Sequence, residues 1–264
     1  MRQMVLAGPR KSKIIEVPIP KYSDDEMLVK VTLTGMCHSE WYPWATAKDG
    51  DVLGHESIGV VAEIGKNVQG FKVGDRVTGL GAIAAFKAMG YGNIIAVDKR
   101  QIALENAKKF GATETYLPEE LPEMYISNFE TIGKADLTRS GDNANVFAPG
   151  IPTVMGFTGT EDGLQLAGAM VKAHGRLGIG GYHNDGMRSI DFKLWNFKAF
   201  TAINCHERRI EYEAGLCHRC MELLDKGIWK FTGVTKVFDT EDFDKLSEMM
   251  EHHTDNFIKG AFRP

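Results

Sequence analysis

A thiol, an imidazole and carboxylates lie close together in the first quarter of the chain. Residues 35–40 read GMCHSE, and residues 54–56 read GHE. Zinc binds thiolate, imidazole and carboxylate groups, and a catalytic site uses three protein ligands and keeps one position open. Such an ion acts as a Lewis acid, so that a bound alcohol can ionise near neutral pH. Cys37, His55 and Glu56 are therefore the candidate metal ligands.

A purely structural interpretation of these residues is a buried cysteine and a hydrogen-bonded histidine at strand ends. Two flanking glycines, Gly35 and Gly54, favour the functional interpretation. Glycine has no side chain, so it lets backbone come close to a binding site.

The second group of interest is a glycine-rich turn further along the chain. Residues 79–84 read GLGAIA, which fits G-x-G-x-x-A between a predicted strand and a helix. Gly79 and Gly81 would allow a pyrophosphate to approach the helix N-terminus, with Ala84 in the third position. Asp98, at the end of the next strand, would accept hydrogen bonds from ribose and favour NAD over NADP, a preference that the cationic Arg100 weakens. The alternative is a glycine turn between packed elements.

Two further groups of cysteine and histidine residues favour structural roles. Cys217 and Cys220 form C-x-x-C inside a predicted helix without a second pair nearby, which favours helix packing over a structural zinc site. His252 and His253 end an acidic helix, and we predict a solvated C-terminal cap there.

The order of predicted elements indicates two kinds of domain. Short β-branched runs separated by prolines before Arg76 predict a small barrel-like β domain. Strands and helices then alternate, which is typical of a parallel α/β sheet. The predicted strands are 93–97, 153–157, 176–179 and 200–204, and the predicted helices are 82–89, 102–110, 160–172, 212–226 and 242–252. Residues 118–153 show no clear period.

Composition argues against several functional classes. The net charge of −4 and the pI near 6.1 do not suit a nucleic-acid surface. No apolar run approaches the roughly 18 residues that span a bilayer. The N-terminus lacks the apolar core of a secretion signal, and the four cysteines do not form a disulfide framework. We therefore expect a cytoplasmic protein with no membrane or nucleic-acid partner.

These motifs together resemble the zinc-dependent medium-chain dehydrogenase/reductase family of alcohol, polyol and threonine dehydrogenases. The matching motifs occur in the family's order: GMCHSE (35–40), GHESIGVVAEIG (54–65), VGDRV (73–77), IIAVDKR (94–100), FGAT (110–113), TGTEDG (158–163) and GRLGIGG (175–181).

The resemblance implies a fold of class α/β, with a Rossmann-type parallel sheet domain and a truncated GroES-like β-barrel domain. The implied division is 1–77 for the GroES-like catalytic domain, 78–226 for the Rossmann domain and 227–264 for a return to the catalytic domain. Zinc and NAD are the implied cofactors, with NADP less favoured. Cys37, His55 and Glu56 match zinc-ligand positions. Ser39 matches the hydroxyl that takes the substrate proton, and we assign the adjacent His38 to the catalytic residues.

The chain also departs from the family pattern. Arg76-Val77 runs almost directly into Gly79, so a four-cysteine structural zinc lobe and a further catalytic-zinc ligand are missing. Tyr42 falls near the family's histidine relay position. Three hypotheses follow. The first is a zinc-assisted, NAD(H)-dependent oxidoreductase that interconverts a secondary alcohol or polyol and a carbonyl by hydride transfer. The others are a dinucleotide-binding scaffold without catalysis and a metal-free NADPH-linked quinone or enone reductase. A homo-oligomer built on the edge of the Rossmann sheet is expected by resemblance.

Overall fold

The structure is a computed structural model that describes residues 1–69, 72–73, 76–77, 89–134, 149–206, 209–228, 233–254 and 256–264. The described strands are β1 Arg2–Leu6, β2 Ser12–Glu16, β3 Met27–Met36, β4 Glu56–Ile64, β5 Arg76–Val77, β6 Ile95–Val97, β7 Glu114–Tyr116, β8 Ile151–Gly156, β9 Val171–Ile179, β10 Thr201–Asn204, β11 Thr235–Asp239 and β12 Lys259–Arg263. The described α-helices are α1 Trp41–Ala45, α2 Gln101–Phe110, α3 Phe129–Lys134, α4 Glu161–Met170, α5 Phe192–Lys198, α6 Ile210–Asp225 and α7 Phe243–His252.

The chain divides into two compact units. The first comprises Met1–Thr115 together with Glu213–Pro264, and the second comprises Tyr116–Tyr212. The predicted helix at 82–89 and the glycine turn that precedes it lie outside the described residues, except for Met89.

A five-stranded sheet organises the first unit, in the order β11-β12-β3-β4-β5. β12 pairs parallel with β11 and antiparallel with β3, so a late segment lies beside an early one. Opposite Gly35 of β3 lie Ala261 on one side and Glu56 on the other. This register brings the ends of three strands together at the residues that carry the predicted chemistry.

Helices α1 and α7 pack together in the core of the first unit. The completely buried Trp44 of α1 donates its indole N–H to Asp244 of α7 at 3.0 Å. Arg10 reaches Glu251 of α7 through two hydrogen bonds of 2.6 Å each. The core around them is apolar and contains Leu6, Met36, Trp44, Ala47, Phe243, Leu246, Met250, Phe257 and Phe262. These contacts fix the C-terminal end of α7 next to the segment that follows β3.

The second unit contains a parallel three-stranded sheet in the order β10-β9-β8. Its helices begin at polar caps: the Thr160 hydroxyl accepts from the N–H of Gly163, and Asp191 accepts from the N–H of Leu194. Strand, helix and strand succeed one another here as the sequence predicts. Residues 118–153, which showed no period, include two 3-10 turns and the short α3.

The boundary between α4 and β9 differs from the sequence prediction. The predicted helix 160–172 ends at Met170, and Val171 already begins β9. The completely buried Lys198 explains this, because its ammonium group donates to the carbonyls of Gly168 at 2.6 Å and Val171 at 2.7 Å. A side chain from α5 thus satisfies carbonyl groups at the end of α4 that a continued helix would otherwise use.

Candidate metal centre and cofactor turn

Three predicted metal ligands converge at the ends of β3 and β4. Cys37 directly follows β3, His55 directly precedes β4, and Glu56 is the first residue of β4. One ligand atom from each lies within 4.8 Å of the ligand atoms of the other two. The convergence follows from the antiparallel register that places Gly35 opposite Glu56.

The donor set fits a zinc ion. Zinc with ligand bonds of about 2.0–2.3 Å holds its tetrahedral ligand atoms about 3.5 Å apart. Cys37 and Glu56 are half-buried and His55 is exposed, so small side-chain movements can bring the three groups to that spacing. Thiolate, imidazole and carboxylate together suit zinc better than magnesium or calcium, which prefer oxygen ligands alone.

A glycine is required at position 35 because the carboxylate of Glu56 lies over its Cα. A Cβ atom built at Gly35 would lie 2.5 Å from Oε2 of Glu56. The same carboxylate oxygen accepts a hydrogen bond from the ammonium group of Lys259, which comes from β12 on the far side of β3. The missing side chain therefore leaves room for an ion pair that crosses the central strand.

Glu40 is a second carboxylate at the centre, beside Glu56, and the sequence prediction missed it. Its residue is only 4% exposed, and its Oε2 accepts from the backbone N–H of Cys37 at 3.0 Å. Its Oε1 lies 3.4 Å from Nδ1 of His55 and has no hydrogen-bond partner among the described residues. Burial raises the pKa of Glu40, and the negative charge of Glu56 adds to this, whereas the Cys37 N–H and His55 oppose it.

A sequence signal for Glu40 did exist. Glu40 lies three residues after Cys37, and residues 38–40 form a single 3-10 turn. That spacing returns the carboxylate to the N–H of Cys37, so an acidic residue at this offset from a metal-binding thiol was a readable candidate. It holds the Cys37 backbone and faces the His55 imidazole, which suits a group that orients both ligands.

The two predicted catalytic residues lie in the same 3-10 turn. Ser39 is half-buried and His38 is exposed. The His38 ring stacks on the ring of His253, with centroids 5.4 Å apart and an interplanar angle of 15°. The sequence predicted His253 as a solvated cap. It is exposed and caps α7, in left-handed conformation with φ 51°, and it also contacts the turn that follows Cys37.

The predicted cofactor residues are only partly described. Gly79, Gly81 and Ala84 lie outside the described residues. Asp98 directly follows β6, and Arg100 caps the start of α2. The Asp98 carboxylate accepts from the backbone N–H of Arg100 at 2.9 Å and from its Nε at 3.2 Å. The guanidinium of Arg100 thus already engages the carboxylate that was predicted to meet ribose.

Comparison with known proteins supports the assignment that the motifs suggested. Residues 23–109 match the family described as "Alcohol dehydrogenase GroES-like domain". L-threonine 3-dehydrogenase of Protochlamydia amoebophila (strain UWE25) is 45% identical over 75 residues, which are 25% of this chain and 22% of that protein. Alcohol dehydrogenase 1 of Caenorhabditis elegans is 44% identical over 69 residues, which are 24% and 20% of the two chains. The matched segments thus span less than a quarter of these relatives.

Among solved structures, the fold is similar to that of galactitol-1-phosphate dehydrogenase from Escherichia coli. The two share a TM-score of 0.76 and 15% identity, with 100% of each chain covered. Residues 23–109 therefore resemble the GroES-like domain of alcohol dehydrogenases, and the chain has the fold of this neighbour. The predicted fold class, a GroES-like domain with a Rossmann-type parallel sheet, is confirmed. Within the described part of the chain, no helix is long and apolar enough to cross a membrane.

Proposed function

We propose that the chain is a zinc-assisted, NAD(H)-dependent oxidoreductase that interconverts a secondary alcohol or polyol and the corresponding carbonyl by hydride transfer. The observation that carries this proposal is the convergence of Cys37, His55 and Glu56, whose ligand atoms lie within 4.8 Å of one another. Its similarity to alcohol and threonine dehydrogenases over the GroES-like segment supports the same chemistry.

Each residue of the centre has a proposed role. Zinc, when bound, supplies Lewis-acid polarisation of the substrate oxygen. Cys37, His55 and Glu56 hold the ion. Glu40 orients two of these ligands, through its contacts with the backbone N–H of Cys37 and the imidazole of His55. Ser39 accepts the substrate hydroxyl proton as it gives up its own, and the exposed imidazole of His38 passes that proton to solvent.

The cofactor assignment rests on the residues after β6. The carboxylate of Asp98 is proposed to accept hydrogen bonds from the ribose hydroxyls of NAD. The turn that approaches the pyrophosphate is proposed to contain Gly79, Gly81 and Ala84. Arg100 pairs with Asp98 and is proposed to lie beside the bound adenosine. NADP is the less favoured cofactor, because a carboxylate repels a 2′-phosphate.

Three features of the whole protein are also proposals. The functional division is 1–77, 78–226 and 227–264, with the last segment returning to the catalytic domain. The protein acts in the cytoplasm on a small molecule. The exposed edge strand β10 is the proposed contact of a homo-oligomer, since all four of its residues are exposed.

The test combines metal content with turnover. Zinc per chain is measured after dialysis for the wild type, Cys37→Ser and, as a matched control, Cys205→Ser at an exposed cysteine. We expect about one zinc in the wild type and the control, and none in Cys37→Ser. Absorbance of NADH is then followed with secondary alcohols and polyols, with and without chelator. Metal-replete protein that turns over none of these substrates with NAD or NADP would refute the proposal.

A dinucleotide-binding scaffold without catalysis is the second candidate. It is favoured by the ion pair between Lys259 and Glu56, which engages one of only three clustered donors in the described residues. NAD binding by calorimetry together with no zinc retained through dialysis would support the scaffold. Stoichiometric zinc retained with NAD-linked turnover would exclude it.

A further inference from the structure

His253 joins the turn that follows Cys37 to the turn that follows β6. One face of its ring stacks on His38, the residue directly after the candidate ligand Cys37. The other contact is with Arg100, whose Nη1 lies 3.2 Å from Nδ1 of His253. All of these residues belong to the first compact unit. A single imidazole therefore touches both ends of the proposed site.

The contact with Arg100 fixes the protonation state of His253. A guanidinium group only donates hydrogen bonds, so Nδ1 of His253 must accept and therefore carries no proton. The imidazole is then neutral, with its proton on Nε2. Partial burial of the ring lowers the pKa of His253, and the charge of Arg100 and the neighbouring His38 lower it further, against the opposing effect of Asp98.

Arg100 is in turn held on three sides. Its Nε and backbone N–H bond Asp98, and the Nη1 that meets His253 also donates to the carbonyl of Phe257 at 3.3 Å. Loss of the His253 acceptor would leave Arg100 anchored to the C-terminal segment by one backbone carbonyl. Asp98 holds Nε and, at 3.5 Å, Nη2 of the guanidinium, and His253 supplies one of the two contacts that join Arg100 to the C-terminal segment.

We infer that His253 is a positioning residue that couples the Asp98–Arg100 turn to the metal-binding turn, through its Nδ1 on one side and its ring face on the other. This inference rests on the proposed function, which assigns zinc to the turn that follows β3 and NAD to the turn that follows β6. Its consequence is reciprocal: if bound zinc tightens NAD through this contact, then bound NAD tightens zinc by the same factor. Removal of His253 should abolish the coupling without removing any ligand.

Two substitutions separate the two contacts. His253→Asn retains an acceptor near the place of Nδ1 and suits the left-handed backbone, but it loses the ring that stacks on His38. His253→Phe retains a ring and loses the acceptor for Arg100. His252→Asn is the matched control, because the neighbouring His252 is also exposed but pairs with Glu251 instead.

The first measurement needs neither metal nor cofactor. Long-range ¹H–¹⁵N NMR of metal-free protein at pH 7.5 should show His253 with its proton on Nε2. The ring signals of His38 should shift in His253→Asn, and the Nε–H of Arg100 should exchange faster with solvent in His253→Phe. His252→Asn should leave both unchanged. A protonated Nδ1 on His253, or no change in either variant, would overturn the inference.

The second measurement is the NAD dissociation constant with and without one equivalent of zinc, by calorimetry. We expect zinc to tighten NAD about fivefold or more in the wild type and in His252→Asn, and less than twofold in both His253 variants. Equal coupling in all four proteins, or none in a wild type that binds both ligands, would overturn the inference. If the wild type binds neither ligand, the proposed function fails, and the NMR result alone decides the role of His253.

Discussion

Lys259 and Glu56, 203 positions apart in the chain, form an ion pair that passes over the bare backbone of Gly35. The pair exists because β3 lies between β12 and β4 and has no side chain at the crossing. It sets an ammonium group against a carboxylate that is also a candidate metal ligand.

Replacing Lys259 should strengthen metal binding. If the Lys259 ammonium group and a cation at the metal site are treated as two unit charges about 5 Å apart, they repel by about 3 kcal/mol at an effective dielectric constant of about 20. The Lys259 side chain is 31% exposed, so solvent reduces this repulsion of an incoming cation. We expect Lys259→Met to bind zinc about tenfold more tightly in competition with a chromophoric chelator.

The control for this prediction removes the same charge elsewhere. Lys30 is exposed on β3 and lies opposite Val60 rather than Glu56. Lys30→Met should change zinc affinity less than twofold. Weaker zinc binding in Lys259→Met would mean that the ammonium group orients Glu56 for the metal instead of competing with it.

Gly35→Ala should weaken metal binding and destabilise the fold. The added Cβ would lie 2.5 Å from Oε2 of Glu56, so the carboxylate must move away from its present position. Overpacking of this kind typically costs about 1–3 kcal/mol in the free energy of unfolding. Zinc affinity should fall by about tenfold or more, measured by the same chelator competition. Gly92→Ala, where a Cβ would meet nothing within 4 Å, should leave both quantities nearly unchanged.

Acid should destabilise the protein through His253. Because the pKa of His253 is lowered in the folded state, the unfolded chain binds its proton first as pH falls below about 6.5. The stabilising contribution is therefore complete above that pH and is lost as pH falls towards the folded pKa. The charged groups that face the ring are Arg100, Asp98 and His38, and Glu251 and His252 share its helix.

The measurement is the free energy of unfolding of the wild type and of His253→Asn between pH 8 and pH 5. The wild type should lose stability relative to the variant below about pH 6.5, and the difference should be constant above it. The other titrating groups largely cancel in this comparison. Parallel curves across the whole range would contradict the prediction.

Lys198→Met should strongly destabilise the second unit. The buried ammonium group donates to the carbonyls of Ser127, Gly168 and Val171, at 2.6–2.7 Å, and methionine would leave all three without this partner. We expect a loss of about 2–4 kcal/mol in urea denaturation. Lys193→Met, on the exposed face of the same helix, should cost less than about 1 kcal/mol.

The pH dependence of that loss has a defined sign. Burial lowers the pKa of Lys198 to about 8, from 10.5 in an exposed chain. The folded protein therefore releases this proton before the unfolded chain does, and stability rises with pH between these values. The deficit of Lys198→Met relative to the wild type should grow as pH rises from about 8 towards 10.5.

The sequence predicted those parts of the centre that local spacing determines. Cys37, His55 and Glu56 were readable because each lies one or two positions after a glycine, Gly35 or Gly54. Asp98 was readable because it ends an apolar run.

Lys259 and His253 carried no such signal. Lys259 reaches the centre only because β12 pairs with β3, and His253 only because α7 packs against α1. Neither pairing follows from local periodicity. The residues after α4 were also misassigned, because the partner that ends this helix, Lys198, lies nearly thirty positions further on.

The pairing of β12 with β3 also constrains how the protein is made on the ribosome. At about 5–20 residues per second, roughly 10–45 seconds pass between synthesis of Met36 and of Lys259. Throughout that interval one edge of β3 lacks its partner β12, beside the thiol of Cys37. The sheet therefore cannot be completed before β12 has been synthesised. Until then, the unpaired edge of β3 is a suitable binding site for a chaperone that shields exposed strands.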